Sequence, residues 1–150
     1  SLEAIKAGLE TMQAVKGRLV LKQGQAGTRI LDDSYNAIPY AVAASLRVLA
    51  QYSGERVFVF GGMCEVGESA KDEHIKIGEL AKQLGIQQLF ACGEFTDATV
   101  KAFGVGAHYF ATQSELSTAV QNILRPNMTV LVKGSRGSKM ENVVQMLITK

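Results

Sequence analysis

The chain has 150 residues, 47% hydrophobic and 20% charged, and its 16 basic against 14 acidic residues leave a formal charge of +2. That size and apolar content suit one globular domain (residues 1–150) with its own core, and charges spread this evenly exclude a nucleic-acid surface or a polybasic membrane surface. No apolar run approaches the roughly 20 residues of a membrane span, and the opening Ser1-Leu2-Glu3-Ala4-Ile5-Lys6 lacks the basic-then-apolar order of a signal peptide, so a cytoplasmic protein without membrane insertion is expected.

Residues 2–15 read as a weak helix, with Ile5, Leu9 and Met12 at i, i+4 and i+7. Residues 18–22 read as a strand joined through residues 24–27 to a second strand at 28–32, as a hairpin with a loose loop. A polar loop at 33–38 follows, and Pro39 opens a helix carrying Val42, Leu46 and Leu49 at helical spacing. Strands are predicted at 56–60, 88–92, 107–110 and 129–133. Ile77, Leu80, Ala81 and Leu84 stripe one intervening helix, and Val143, Val144, Leu147 and Ile148 stripe the last. Start signals are Ser69 ahead of Asp72 and Glu73, Thr112 with Glu115, and Ser138 with Glu141. This alternation predicts an α/β fold: a doubly wound, mainly parallel six-stranded sheet with one antiparallel edge strand.

In such a sheet the loops at 33–38, 61–69, 93–95 and 134–138 share one rim, where ligands bind. No G-x-G-x-x-G follows a strand and no G-x-x-x-x-G-K-[ST] exists, so the sheet is Rossmann-like without the dinucleotide fingerprint and cannot cradle ATP phosphates alone. Asp33-Ser34-Tyr35-Asn36 crowds a carboxylate, a hydroxyl, a phenol and an amide on one turn. Lys133-Gly134-Ser135-Arg136 joins cations to flexible backbone ahead of a helix, which suits a carboxylate or phosphate, or is a solvated Gly-rich turn. Glu65 and His74 are further rim candidates, with a solvated loop carboxylate and a packed histidine as the alternatives. Cys64 and Cys92 form no C-x-x-C pair and have no close histidine, so neither zinc nor a disulfide framework is expected.

Taken in order, Asp32-Asp33-Ser34-Tyr35-Asn36-Ala37 with Pro39, then Gly61, Met63 through Glu65 and Gly67 with His74, then Cys92-Gly93-Glu94, then Val132 through Gly137 resemble the carboxy-terminal domain of a Mur ligase along the whole chain. Two positions depart from that pattern: Ile38 stands where a second Asn is usual, and Gly62 where an Asp is usual. The resemblance implies the third domain of an ATP-dependent, ADP-forming ligase of peptidoglycan synthesis, the one that adds D-alanyl-D-alanine to UDP-N-acetylmuramoyl-tripeptide. The UDP-sugar domain and the central ATPase domain, with its P-loop and Mg2+, would be supplied by other sequence. It further implies that Asp33, Ser34, Tyr35 and Asn36 contact ATP, that Lys133, Gly134, Ser135 and Arg136 hold the dipeptide, and that the isolated domain binds no metal and is inactive; Glu65 and His74 stay rim candidates on their position alone. Two alternatives stay open: a free-standing nucleotide or small-anion module, and a domain of a related Mur or folylpolyglutamate-type ligase.

Overall fold

A computed structural model describes residues 1–3, 17–64 and 66–149. The opening helix expected at 2–15 lies almost wholly outside the described residues, as does Glu65. The strands are β1 (Val20–Gln23), β2 (Arg29–Asp33), β3 (Glu55–Phe60), β4 (Gln88–Ala91), β5 (Ala107–Tyr109) and β6 (Met128–Lys133). Between and after them lie α1 (Pro39–Ala50), α2 (Ala70–Gln83), α3 (Thr96–Phe103), α4 (Gln113–Gln121) and α5 (Glu141–Leu147). They build one six-stranded sheet in the order β1-β2-β6-β3-β4-β5. Only β1 runs antiparallel, against β2; the four other pairings are parallel. The expected architecture is therefore the observed one, and β1 starts at Val20 because Leu19 sits in the left-handed region at φ 49°.

Alternation along the strands builds two cores. Leu31, Phe58, Phe60 and Leu131 point to one face, where Val42, Leu46 and Leu49 of α1, Ile77 and Ala81 of α2 and Phe103 of α3 cover them. Ile30, Val57, Val59, Val130 and Val132 point to the other, under Leu116 and Val120 of α4 and Val143, Val144 and Leu147 of α5. Strands buried on both faces read as continuous apolar runs, which is why Arg56-Val57-Phe58-Val59-Phe60 shows no alternation in sequence.

The start signals divide. Thr112 caps α4 as expected, its hydroxyl accepting from the Glu115 amide at 3.2 Å. Ser69 and Ser138 do not cap their helices: each ends a 3-10 turn, and each hydroxyl donates backward, to the Val66 and Ser135 carbonyls at 3.4 and 2.7 Å. After Ser138 the chain passes through Lys139 in the left-handed region (φ 53°), so α5 begins only at Glu141 with no side-chain cap.

Candidate functional site

The loops leaving β2, β6, β3 and β4 stand side by side at the carboxyl ends of the strands, because those strands are neighbours in that order. Backbone bonds lace them together: the Gly61 amide donates to the Lys133 carbonyl at 2.8 Å, the Ser135 amide to the Gly62 carbonyl at 2.9 Å, and the Cys92 amide to the Phe60 carbonyl at 3.1 Å. Gly61 and Gly134 meet beneath Met140, and a methyl group at Gly134 would lie 2.5 Å from Met140 Cγ and Ser138 Oγ, so any larger residue must displace those side chains.

Consecutive residues of β2 send Asp32 and Asp33 to opposite faces. Asp33 turns toward α1, where its carboxylate accepts from the Ser45 hydroxyl, from the Leu19 amide at 3.2 Å and from Lys133 Nζ at 2.9 Å. Asp33 and Lys133 are register partners on β2 and β6, and both are buried. The same ammonium donates to the Asn36 carbonyl at 2.8 Å, so Lys133 ties the β2 loop to the β6 strand end. Asp32 turns toward α5, accepting from Lys22 Nζ at 2.8 Å and from the Ser34 amide at 3.2 Å.

Two clefts flank this arrangement, and Tyr35 lines both. The larger, of about 470 Å³, is bounded by Arg18, Leu19, Asp33, Asn36, Ile38, Tyr40, Ser45 and Lys133 among others. Its mouth is apolar, with Tyr40 and Ile38 exposed. The smaller, of about 240 Å³, is bounded by Lys22, Asp32, Ser34, Arg136, Glu141 and Gln145. A guanidinium stacks on the Tyr35 ring from each cleft's lining: Arg18 at 4.4 Å from the ring centre and Arg136 at 4.7 Å. Neither arginine has a carboxylate partner among the described residues. Both loops expected to bear ligand contacts thus share one site. Arg18 was not among the expected site residues: the sequence placed it inside the first strand, whereas β1 begins at Val20 and leaves Arg18 exposed ahead of it.

Of the two readings of His74, the structure shows the packed histidine. Its ring is fully buried and makes no open rim contact. Nε2 lies 3.0 Å from the Met63 amide, and Nδ1 lies 2.6 Å from the Ala70 carbonyl. An amide can only donate and a carbonyl only accept, so the ring is neutral with its proton on Nδ1. Burial holds its pKa below the ordinary histidine value, outweighing the Ala70 carbonyl and the acidic Glu94, Asp97 and Glu73. Burial likewise pushes the Cys92 thiol up, with Glu115 adding to the effect, while exposed Cys64 accepts from the Ser135 hydroxyl at 2.9 Å. Among the described residues no three His, Cys, Asp or Glu side chains converge as a metal site, and no helix is long and apolar enough to cross a membrane.

The family model for the Mur ligase, glutamate ligase domain matches residues 17–136. The chain belongs to the Mur ligase family. This Mur ligase domain is 42% identical over 149 residues to the UDP-N-acetylmuramoyl-tripeptide--D-alanyl-D-alanine ligase of Escherichia coli, covering 98% of the chain and 33% of that relative. It superposes on MurF from Acinetobacter baumannii with a TM-score of 0.82 at 35% identity, covering 97% of the chain and 33% of that structure. MurF ligase from Thermotoga maritima in complex with ADP gives a TM-score of 0.78 at 22% identity, covering 95% and 35%, which speaks to the fold alone. The Mur ligase domain spans about a third of the length of the relatives it matches.

Proposed function

We propose that this chain is the third, lid-like domain of a cytoplasmic ligase that joins D-alanyl-D-alanine to UDP-N-acetylmuramoyl-tripeptide during peptidoglycan synthesis. The observation that carries the reading is the pairing of two clefts across Tyr35, each supplied with a guanidinium that has no carboxylate partner among the described residues. Likeness over nearly the whole chain to a ligase of that name supports it.

In this reaction a peptide carboxylate oxygen attacks the γ-phosphorus of ATP and ADP leaves. The neutral amine of the dipeptide then attacks the acyl carbon, phosphate leaves with the C–O bond's electrons, and the nitrogen loses a proton. The P-loop, Mg2+ and the UDP-sugar site belong to the rest of the ligase, and the isolated domain is inactive. What this domain contributes is position, by closing onto the central domain.

The larger cleft takes part of ATP. Its apolar mouth of Leu19, Ile38 and Tyr40 suits a base, Asn36 and Tyr35 line its inner wall, and Arg18 offers a cation on the phosphate side. Asp33 contributes less to a ribose than its chemistry promises, because Lys133, Ser45 and Leu19 already use three of a carboxylate's roughly four acceptor sites. Lys133 is the strut between the loops, and Ser34 is a buried turn former rather than an open donor.

The 134–136 loop takes the dipeptide. Arg136 is exposed, stacked on Tyr35 and without a carboxylate partner among the described residues, so its donors can grip the dipeptide carboxylate, leaving the amine at the far end uncharged and able to attack. In the full-length ligase, Arg136→Ala should raise the dipeptide KM by the equivalent of about 2–4 kcal/mol, with the KM values for ATP and the UDP-sugar peptide little changed. Arg136→Lys should recover only part, since an ammonium keeps the charge but not the planar fork. A raised ATP KM with an unchanged dipeptide KM moves Arg136 to the nucleotide.

A further inference from the structure

We propose that His74 is a positioning residue for the 133–136 loop, setting its height over the sheet through Met63 and the β3 rim loop. The proposal rests on the reading of that loop as the dipeptide's seat.

The β3 rim loop, residues 61–64, is held from two sides. On one side it bonds to the β6 loop three times: Gly61 amide to Lys133 carbonyl, Ser135 amide to Gly62 carbonyl, and Ser135 hydroxyl to Cys64 sulfur, all at 2.8–2.9 Å. On the other it is held by His74, whose Nε2 takes the Met63 amide. Met63 is itself buried, so without that acceptor its N–H has neither water nor another partner. The ring cannot drift to compensate. Nδ1 is tied to the Ala70 carbonyl, the rings of Phe60 and Phe95 pack on it at 5.7 Å, and the Thr99 hydroxyl donates to the His74 carbonyl at 2.9 Å.

Clearance beside the ring is small. Gly62 takes φ +86°, and a methyl group there would lie 3.2 Å from Thr96 Cγ2, 3.3 Å from the Glu94 carbonyl and 3.5 Å from Nε2. A side chain at Gly62 would press on Thr96 and the Glu94 carbonyl, and the His74 hydrogen bond to Met63 holds the loop beside them. Any shift of Met63 passes to Gly62 and Cys64, and from them to Ser135, the residue before Arg136. The acidic groups facing His74 are Glu73 on its own helix, Glu94 in the β4–α3 loop and Asp97 on α3. Protonation of Nε2 would set a second donor against the Met63 amide and push the two apart.

The variants His74→Asn and His74→Gln separate this role from simple packing. Asn reaches only the Nδ1 position and abandons Met63, whereas Gln places an acceptor where Nε2 was. In the full-length ligase, His74→Asn should raise the dipeptide KM about tenfold with the ATP KM within about twofold, and His74→Gln should restore most of the loss. As pH falls below the His74 pKa, the dipeptide KM of the unaltered enzyme should rise relative to that of His74→Gln. The dipeptide's own amine titrates identically in both and cancels in the ratio. In the 150-residue chain, nitrogen-15 spectra should show the Nδ1–H tautomer, and the Ser135 and Arg136 amide signals should move in His74→Asn. A folded His74→Asn with unmoved Ser135 and Arg136 signals and an unchanged dipeptide KM overturns the proposal. If those signals move while only another substrate's KM changes, the positioning role stands and the dipeptide assignment fails. If His74→Asn does not fold, identical acid limbs for His74→Gln and the unaltered enzyme overturn it.

Discussion

Replacing Lys133 by Met tests the strut that joins the two rim loops after β2 and β6. The pair it forms with Asp33 is 2.9 Å long, with side chains 3% and 9% exposed, on register partners of adjacent strands. Methionine keeps the apolar stem and deletes the charge. Asp33 is left as a buried carboxylate held by a hydroxyl and one amide, and the Asn36 carbonyl loses its donor. Removing one partner of a buried pair costs about 3–5 kcal/mol, and the two surviving hydrogen bonds place this case at about 3. Asp33→Asn strands the ammonium and should cost a similar amount. The double substitution removes both charges, so it should cost about 3 rather than about 6 kcal/mol, a coupling of about 3. Urea unfolding of the 150-residue chain at neutral pH reads all four corners. With a slope near 2 kcal/mol per molar, each single variant should lower the midpoint by about 1.5 M. A shift under about 0.3 M, or additive effects in the double variant, would refute the buried pair as the tie between β2 and β6.

Three further outcomes are expected. Thr112→Ala removes the hydroxyl that accepts from the Glu115 amide and should lower stability by about 1 kcal/mol in the same unfolding assay, while Ser69→Ala and Ser138→Ala, which remove no cap, should each cost less. Gly134→Ala forces a methyl group to within 2.5 Å of Met140 and Ser138; about 1–3 kcal/mol should be lost, with Arg136 signals displaced in amide spectra. His74 has a folded pKa below 6.5, so its stabilisation is complete above that value; as pH falls through 6.5 toward the folded pKa the unfolded chain binds a proton that the folded chain refuses, and stability drops. Thermal melts of the unaltered chain should lose ground to His74→Gln across that acidic window.

The strands and the rim were legible because their signals are local: apolar runs that end in polar loops, and Pro39 opening a helix. Strand order was not, since β6 reaches its central place only through pairings with β2 and β3 about 100 and 70 positions earlier. Distance also hid the chemistry of Asp33, since the Lys133 that pairs with it lies 100 positions on, while Ser45, 12 positions away, reaches it only once the helix from Pro39 packs on the sheet. Arg18 and Arg136 lie more than a hundred positions apart, and nothing short of the fold reveals that one aromatic ring carries both. Ser69 and Ser138 misled because their spacing imitates a cap while the preceding 3-10 turn aims the hydroxyl backward.

The insertion of β6 between β2 and β3 also orders the birth of the site. During synthesis β2 and β3 emerge early with no direct pairing to each other, and each exposes an unpaired edge until Met128–Lys133 arrives to fill the gap. Every loop contact made by Lys133 and Ser135 waits for that strand, so no partial chain ending before it can assemble either cleft's floor. Pairings this distant make for slow closure, and the rim cannot form before Met128–Lys133 is in place.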